Sequence, residues 1–468
     1  MGLLIKGGEL VTADSQTFAD VLVEGDTIRQ IGPDLAAPPG TEIIDATGKL
    51  IFPGFIDPHV HIYRPFMSTF TKDTHVTASK AALVGGTTTF LEMICPSRNQ
   101  SVLTGYNTWK EKADGNSACD YAFHMAVTQY DAKTEEQLRA IVADGATSFK
   151  VFLAGEDCPG ITEGDLYEVL RLAADLGVVT AAHCENAELV ARLQESLTAA
   201  GRTDPEWHEC SRPEIAEAEG TGRFAAFLEV TGATGYVVHV SCAPALHAVA
   251  EAKRRGAKIY AEAIVPHLLL NKSYAERAGL EGMKYVTSPP LRHERNQPAT
   301  WAALQAGIID TVATGHAPFD TRQKALGMQG FTQIPCGLGG IEDRVNLMYT
   351  YGVNRGRLDL RRFVDALSTT PAKIFGLYPR KGVLAVGSDA DIVVYDPTYR
   401  GAIAAARQYS NSDYNCFEGF AIEGRPAVVL VRGKVQAREG RFVGEQGRGK
   451  LLRRTPLHED AQEPVFAA

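Results

Sequence analysis

The chain has 468 residues, with 47 Lys and Arg against 56 Asp and Glu, a net charge of -9, 45% hydrophobic and 22% charged residues. An acidic balance with a pI near 5.8 excludes nucleic acid or an anionic membrane as a main partner, and the composition is that of a soluble globular protein. The length exceeds one simple core and predicts either a large barrel of roughly 250 residues with appendages or two to three domains.

No stretch approaches 18 uninterrupted apolar residues, and the start, Met1-Gly2-Leu3-Leu4-Ile5-Lys6, lacks a basic region followed by an apolar segment and a cleavage site. A cytoplasmic location is expected. The eight cysteines (Cys95, Cys119, Cys158, Cys184, Cys210, Cys242, Cys336, Cys416) form no CxxC pair, which predicts reduced thiols, mostly small core residues.

The first fifty residues hold short β-rich runs at 10–12, 21–24 and 42–45, separated by Gly, Asp and Pro turns. A matching set returns at 390–395 and 427–431. Together they predict a small β-sandwich domain built from both ends of the chain, formed by 1–52 and 379–440. Between them, in 53–378, apolar β-branched runs alternate with helical patterns such as 134–143 and 164–176. The runs fall at 50–56, 87–93, 121–127, 148–153, 178–182, 235–240, 258–264 and 311–314, the alternation a parallel (β/α)8 TIM barrel requires. The final stretch, 441–468, rich in Arg, Gly and Glu, reads as a surface arm that would dock onto a neighbouring subunit.

Polar residues at the carboxyl ends of barrel strands are site candidates, because apolar side chains fill the interior below. The first strand runs into Asp57-Pro58-His59-Val60-His61. Residues i and i+2 of an extended strand point the same way, so both imidazoles can face one ion. An isolated HxH is equally compatible with two hydrogen-bonded strand-end histidines. The fourth strand carries Lys150 within Ser148-Phe149-Lys150-Val151-Phe152, the fifth ends at His183, and the sixth holds His239. A lysine in an apolar strand must snorkel, pair, or lose its charge. A neutral amine can add carbon dioxide to give a carbamate, a two-oxygen ligand able to bridge two divalent ions.

These segments resemble the amidohydrolase superfamily and, within it, the dihydropyrimidinase and hydantoinase family of cyclic amidohydrolases. The likeness runs nearly end to end, through Pro58-His59-Val60-His61, Gly85-Gly86-Thr87-Thr88, Phe149-Lys150-Val151-Phe152, Ala182-His183-Cys184-Glu185-Asn186, His239-Val240-Ser241, Ser288-Pro289-Pro290-Leu291-Arg292 and Gly387-Ser388-Asp389-Ala390-Asp391. It implies a binuclear site, usually zinc, that opens an amide of a cyclic ureide or imide. One ion would be held by His59 and His61, the other by His183 and His239, with carboxylated Lys150 as the bridge. It further implies a homotetramer or dimer.

The sequence departs from that family where the eighth strand ends, at Thr314-Gly315-His316-Ala317-Pro318. Relatives have an aspartate where Gly315 stands, and that carboxylate moves the proton from water to the departing nitrogen. Gly155 stands where relatives have a tyrosine that polarises the substrate carbonyl, and Cys336 where they have an asparagine; Ser288 is retained. Three departures in one pocket read as divergence of substrate, and Arg64 in Tyr63-Arg64-Pro65 would suit a larger or anionic ring unless it is a solvated loop residue. His316 reads as structural rather than as a replacement proton carrier, and no adjacent base supports Cys336 as a nucleophile. His124 is expected in the core and His267 in a loop. A non-catalytic, scaffold-type family member is the alternative that the empty aspartate position raises.

Overall fold

Gly54 is the seam of the molecule. The computed structural model describes residues 2–96, 100–155 and 160–457. In it, the run expected as one strand at 50–56 is two. Leu50–Pro53 pairs antiparallel with Ile392–Ala402, whereas Phe55–Val60 pairs parallel with Thr87–Ile94. The Gly54 amide donates to Asp391 O at 2.8 Å, and a Cβ added there would sit 2.1 Å from Thr88 Oγ1. Only glycine lets the chain pass from one sheet to the other at this crossing.

Beyond the seam, an eight-stranded parallel sheet runs in chain order through Phe55–Val60, Thr87–Ile94, Asp120–Ala126, Ser148–Phe152, Val179–His183, Thr234–Val237, Ile259–Ile264 and Thr311–Ala313. Every residue of Thr87–Ile94 is buried, as expected of a strand covered on both faces. The barrel closes between its first and last strands through a parallel bridge, Val60 to His316, and the bond from His61 N to His316 O at 2.7 Å. Arg344, fully buried, donates from Nη1 to Ile56 O (2.9 Å) and Val312 O (2.8 Å), tying the same two strands from inside. Several of the covering helices begin on side-chain caps that the sequence supplies, such as Thr162 ahead of Glu163–Leu176, which ends on left-handed Gly177.

The sandwich pairs a four-stranded sheet from the first 45 residues with a seven-stranded sheet that includes Glu9–Val11, Leu50–Pro53, Ile392–Ala402 and Ala421–Val431. Ile5, Val21, Ile51, Ile392 and Leu430 fill the space between the sheets. Its link to the barrel joins apolar packing, with Phe52 against Phe55 and Phe363 and Tyr395 against Tyr349, to a buried polar cluster. Lys381 Nζ lies 2.7 Å from Asp120 Oδ2, 2.7 Å from Asp391 Oδ2 and 3.0 Å from Asp389 Oδ2, and Arg432 Nε donates to Asp120 Oδ2 at 3.1 Å.

Of the described part of the arm, Arg441–Phe442 is instead the edge strand of the sandwich's seven-stranded sheet, paired with Lys434–Arg438, and 449–457 packs on the barrel of its own chain. Tyr121 N donates to Lys450 O (3.0 Å), Arg454 N to Gly145 O (3.0 Å) and Leu457 N to Gly177 O (2.7 Å), so the arm crosses the underside where strands begin. Residues 458–468 lie outside the described residues. The cysteine expectation also changes: Cys95 is disulfide-bonded, and Cys158 lies outside the described residues. No helix among the described residues is long and apolar enough to cross a membrane.

A strap at 408–415 rises from the sandwich side and is held by buried carboxylates. Asp343 accepts from Gln408 Nε2 (2.6 Å) and Asn415 Nδ2 (2.6 Å), and Asp73 accepts from Ser410 Oγ (2.8 Å) and Asn411 N (2.6 Å). Burial pushes the Asp343 carboxyl up to about 6. An unfolded aspartate ionises near 4, so between those values the native state binds more protons and stability falls as pH rises. Asp343→Asn removes that slope. In urea titrations, its stability relative to the wild type should rise between pH 4 and pH 6 and then stay level; a constant difference would refute the assignment.

Candidate active site

The barrel brings the expected histidines and lysine to one mouth. His59 is on the first strand and His61 just past it, pointing the same way, with their Nε2 atoms 3.1 Å apart. Lys150 sits within the fourth strand and His183 ends the fifth. His239 lies two residues beyond Thr234–Val237, in a left-handed backbone (φ 44°) that brings its Nε2 to 3.1 Å from His183 Nδ1. The His59 and His239 rings, one from each pair, are 5.5 Å apart.

Carboxylates behind the rings settle which nitrogen faces the mouth. His59 Nδ1 donates to Glu262 Oε1 at 2.7 Å, leaving Nε2 open, and His183 Nε2 donates to Glu185 Oε2 at 2.7 Å, leaving Nδ1 open. Glu185 is itself held by Arg212 Nη1 at 2.6 Å. The Nδ1 atoms of His61 and His239 are buried without a hydrogen-bond partner among the described residues. Burial, then neighbouring positive charge, drives His61 and His239 well below the ordinary imidazole range, and burial lowers His183 against the opposing pull of Glu185, so these rings are neutral at pH 7. Burial also lowers the Lys150 amine to about 7.

Among the described residues, no three His, Cys, Asp or Glu side chains stand together as a complete ligand set. The imidazoles come instead as two pairs. Two nitrogens bound to one tetrahedral zinc at ~2.0–2.1 Å would stand roughly 3.4 Å apart, and each pair, at 3.1 Å, is close to that separation. Neutral rings, open nitrogens and a matching spacing fit two divalent cations, provided a bridging anion completes the set. Lys150 lines the same cavity, between the two pairs' strands.

The cavity, about 590 Å³ including its open mouth, is lined by these five residues and by Arg64, Gly155, Ser288, Gly315 and Cys336. All ten candidate positions therefore share one pocket. Ser288 Oγ is buried with no hydrogen-bond partner among the described residues, while the Cys336 thiol donates to Ile334 O at 3.4 Å. Gly315 has φ 59°, and a Cβ built there would meet only Ile264 methyls, at 3.4 and 3.5 Å. His316 is engaged elsewhere: Nε2 donates to Asp73 Oδ2 at 2.9 Å and Nδ1 accepts from Gly340 N at 3.2 Å.

His124 is in the core, its Nε2 donating to Pro58 O at 2.9 Å. His267, expected in a loop, is buried on the helix Val265–Leu269 and donates from Nε2 to Pro289 O at 3.2 Å. Glu185 and Glu262 were not singled out from the sequence as site residues. The signals were present: a carboxylate two residues beyond His183, and an acid inside the apolar run Tyr260-Ala261-Glu262-Ala263-Ile264.

The Amidohydrolase family profile matches residues 50–436. The chain is 42% identical to the D-hydantoinase of Geobacillus stearothermophilus, covering 97% of each, and 38% identical to the dihydropyrimidinase of Rattus norvegicus, covering 98% of this chain and 89% of that one. Among solved structures, a D-hydantoinase (dihydropyrimidinase) from Thermus sp. superposes with a TM-score of 0.96 at 66% identity, covering 97% of this chain and 99% of that one. With this barrel, this mouth and these relatives, the chain belongs to the amidohydrolase family, on its hydantoinase and dihydropyrimidinase branch.

Proposed function

We propose that this protein is a metal-dependent cyclic amidohydrolase that opens the ring amide of a hydantoin- or dihydropyrimidine-like ureide or imide. His59 and His61 would hold one divalent cation, His183 and His239 a second, and carboxylated Lys150 would bridge them. Zinc suits the imidazole-rich donor set. The observation that carries the reading is the meeting of two imidazole pairs, each with its open nitrogens 3.1 Å apart, beside a buried amine. Cations held there would polarise the scissile carbonyl and make water a competent nucleophile at neutral pH.

The rest falls to the chain. Ser288 Oγ has no hydrogen-bond partner among the described residues and would hydrogen-bond the ring. Glu262 and Glu185 keep the open ring nitrogens aimed at the mouth. Hydrolysis adds hydroxyl to the carbonyl carbon and hydrogen to the ring nitrogen as the C–N bond breaks. With Gly315 at the end of the eighth strand and His316 engaged by Asp73, neither position delivers that hydrogen. The leaving nitrogen draws it from solvent, so slow turnover of simple hydantoins is expected.

The test is Lys150→Met. Metal analysis of the wild type purified with zinc and bicarbonate should find both cation positions filled, and a panel of cyclic ureides and imides should include a substrate. The variant should lose both cations and all turnover. A variant that retains the wild-type metal content would overturn the bridging role, and a metal-free, inert wild type would favour the scaffold alternative.

A further inference from the structure

Glu262 does more than fix one tautomer. It stands in the middle of the seventh strand, fully buried, and its two oxygens serve three donors from two other strands and the turn beyond them. Oε1 accepts from His59 Nδ1 at 2.7 Å and from the His239 backbone N–H at 3.0 Å. Oε2 accepts from Tyr236 Oη at 2.8 Å, and Tyr236 in turn meets Thr311 Oγ1 at 2.6 Å on the eighth strand. The main chain repeats the tie, with Val240 N donating to Glu262 O at 2.7 Å.

The shared oxygen matters because His59 and His239 belong to different pairs. His59 is paired with His61, His239 with His183. His239 also has a left-handed backbone, φ 44°, which strains a non-glycine residue and persists only when its surroundings hold it. Its N–H on Glu262 is one such hold. We propose that Glu262 is a positioning residue that registers the two halves of the site, fixing the ring of one ligand and the backbone of another through a single oxygen atom. The inference rests on the proposed assignment of these histidines as ligands, but its core claim concerns hydrogen bonds that exist without metal.

Two consequences follow from one cause. Without the carboxylate, the His59 ring is free to place its proton on either nitrogen, so Nε2 is no longer reserved for a cation. The same loss releases the His239 turn, so the second pair loosens with the first. Partners of ligating histidines typically contribute 10–100-fold to metal affinity, and here the loss should appear at both positions in parallel.

The experiment uses the full-length protein with ¹⁵N-labelled histidine, stripped of metal, together with Glu262→Leu and Glu262→Gln. Metal-free wild type should show His59 as the Nδ1–H tautomer; finding it as Nε2–H overturns the proposal by itself, whether or not any variant folds. Glu262→Leu should show mixed His59 tautomers and, in zinc competition against a chelator, both cations weakened roughly 10–100-fold. Glu262→Gln retains an oxygen that can accept from both N–H groups and should restore the wild-type tautomer. A change confined to the His59 and His61 cation, or an unchanged tautomer in Glu262→Leu, refutes the registering role. Failure of the wild type to retain zinc would instead count against the proposed function, leaving the tautomer result to judge this inference.

Discussion

Gly315→Asp is expected to raise kcat/KM on an unsubstituted hydantoin by roughly 10²–10⁴-fold, the usual contribution of a positioned general acid or base. Position 315 lies on the wall of the cavity that holds the four imidazoles and Lys150, so a carboxylate there reaches the reacting centre. The backbone admits it. At φ 59° most side chains are strained, but aspartate is among the residues that adopt the left-handed region. Its Cβ would touch Ile264 methyls at 3.4 and 3.5 Å, ordinary contact distances. Gly315→Asn is the matched control, with similar size and backbone tolerance but no group that can act as a general acid or base near neutral pH. No gain with aspartate, or an equal gain with asparagine, would show that the missing proton carrier does not limit the wild type.

Lys381→Met should be the most destabilising single change outside the site, at about 3–5 kcal/mol. The ammonium is buried against Asp120, Asp391 and Asp389 at 2.7, 2.7 and 3.0 Å. Removing it leaves three carboxylates close together, with Arg432 on Asp120 and Arg380 on Asp389 as the remaining counter-charges. Asp120 begins a barrel strand while Asp391 adjoins Ile392–Ala402 of the sandwich, so the loss falls on the join between the two units. Urea unfolding followed by far-UV circular dichroism would measure it. A shift equivalent to less than about 1 kcal/mol, the range of an exposed ion pair, would mean that the cluster has found another way to neutralise its charge. The companion variant Lys381→Met with Asp391→Asn should recover part of the loss, because one of the stranded charges is then gone.

The barrel was legible because its strands carry the signature of burial on both faces, β-branched runs broken by helical spacing. The site was legible because chemistry-bearing residues such as His59, His183 and Lys150 interrupt those runs at or near strand ends. What escaped depends on distant partners. The run at 50–56 is uniformly apolar, and nothing local marks Gly54 as the point where one strand leaves the sandwich and the next enters the barrel; the obstacle is Thr88, over thirty positions away in sequence. His267 was misplaced because Val265–Leu269 is a helix of only five residues, too short to show a period. The arm at 449–457 looked like a surface segment by composition, yet its backbone bonds to Ser117, Tyr121, Gly145, Gly376 and Gly177, and Arg454 is buried. Glu262 was overlooked for a different reason. Its neighbours satisfy the strand pattern, and only the three donors around its carboxylate reveal its place.

The pairing of Leu50–Pro53 with Ile392–Ala402 has a further consequence for synthesis. A ribosome adding ~5–20 residues per second takes on the order of 20–70 s to travel between those segments. Throughout that interval the early strand waits with its hydrogen-bonding edge unclaimed, a template for contact with other nascent chains. Growth temperature and chaperone supply should therefore govern soluble yield more strongly than most surface substitutions.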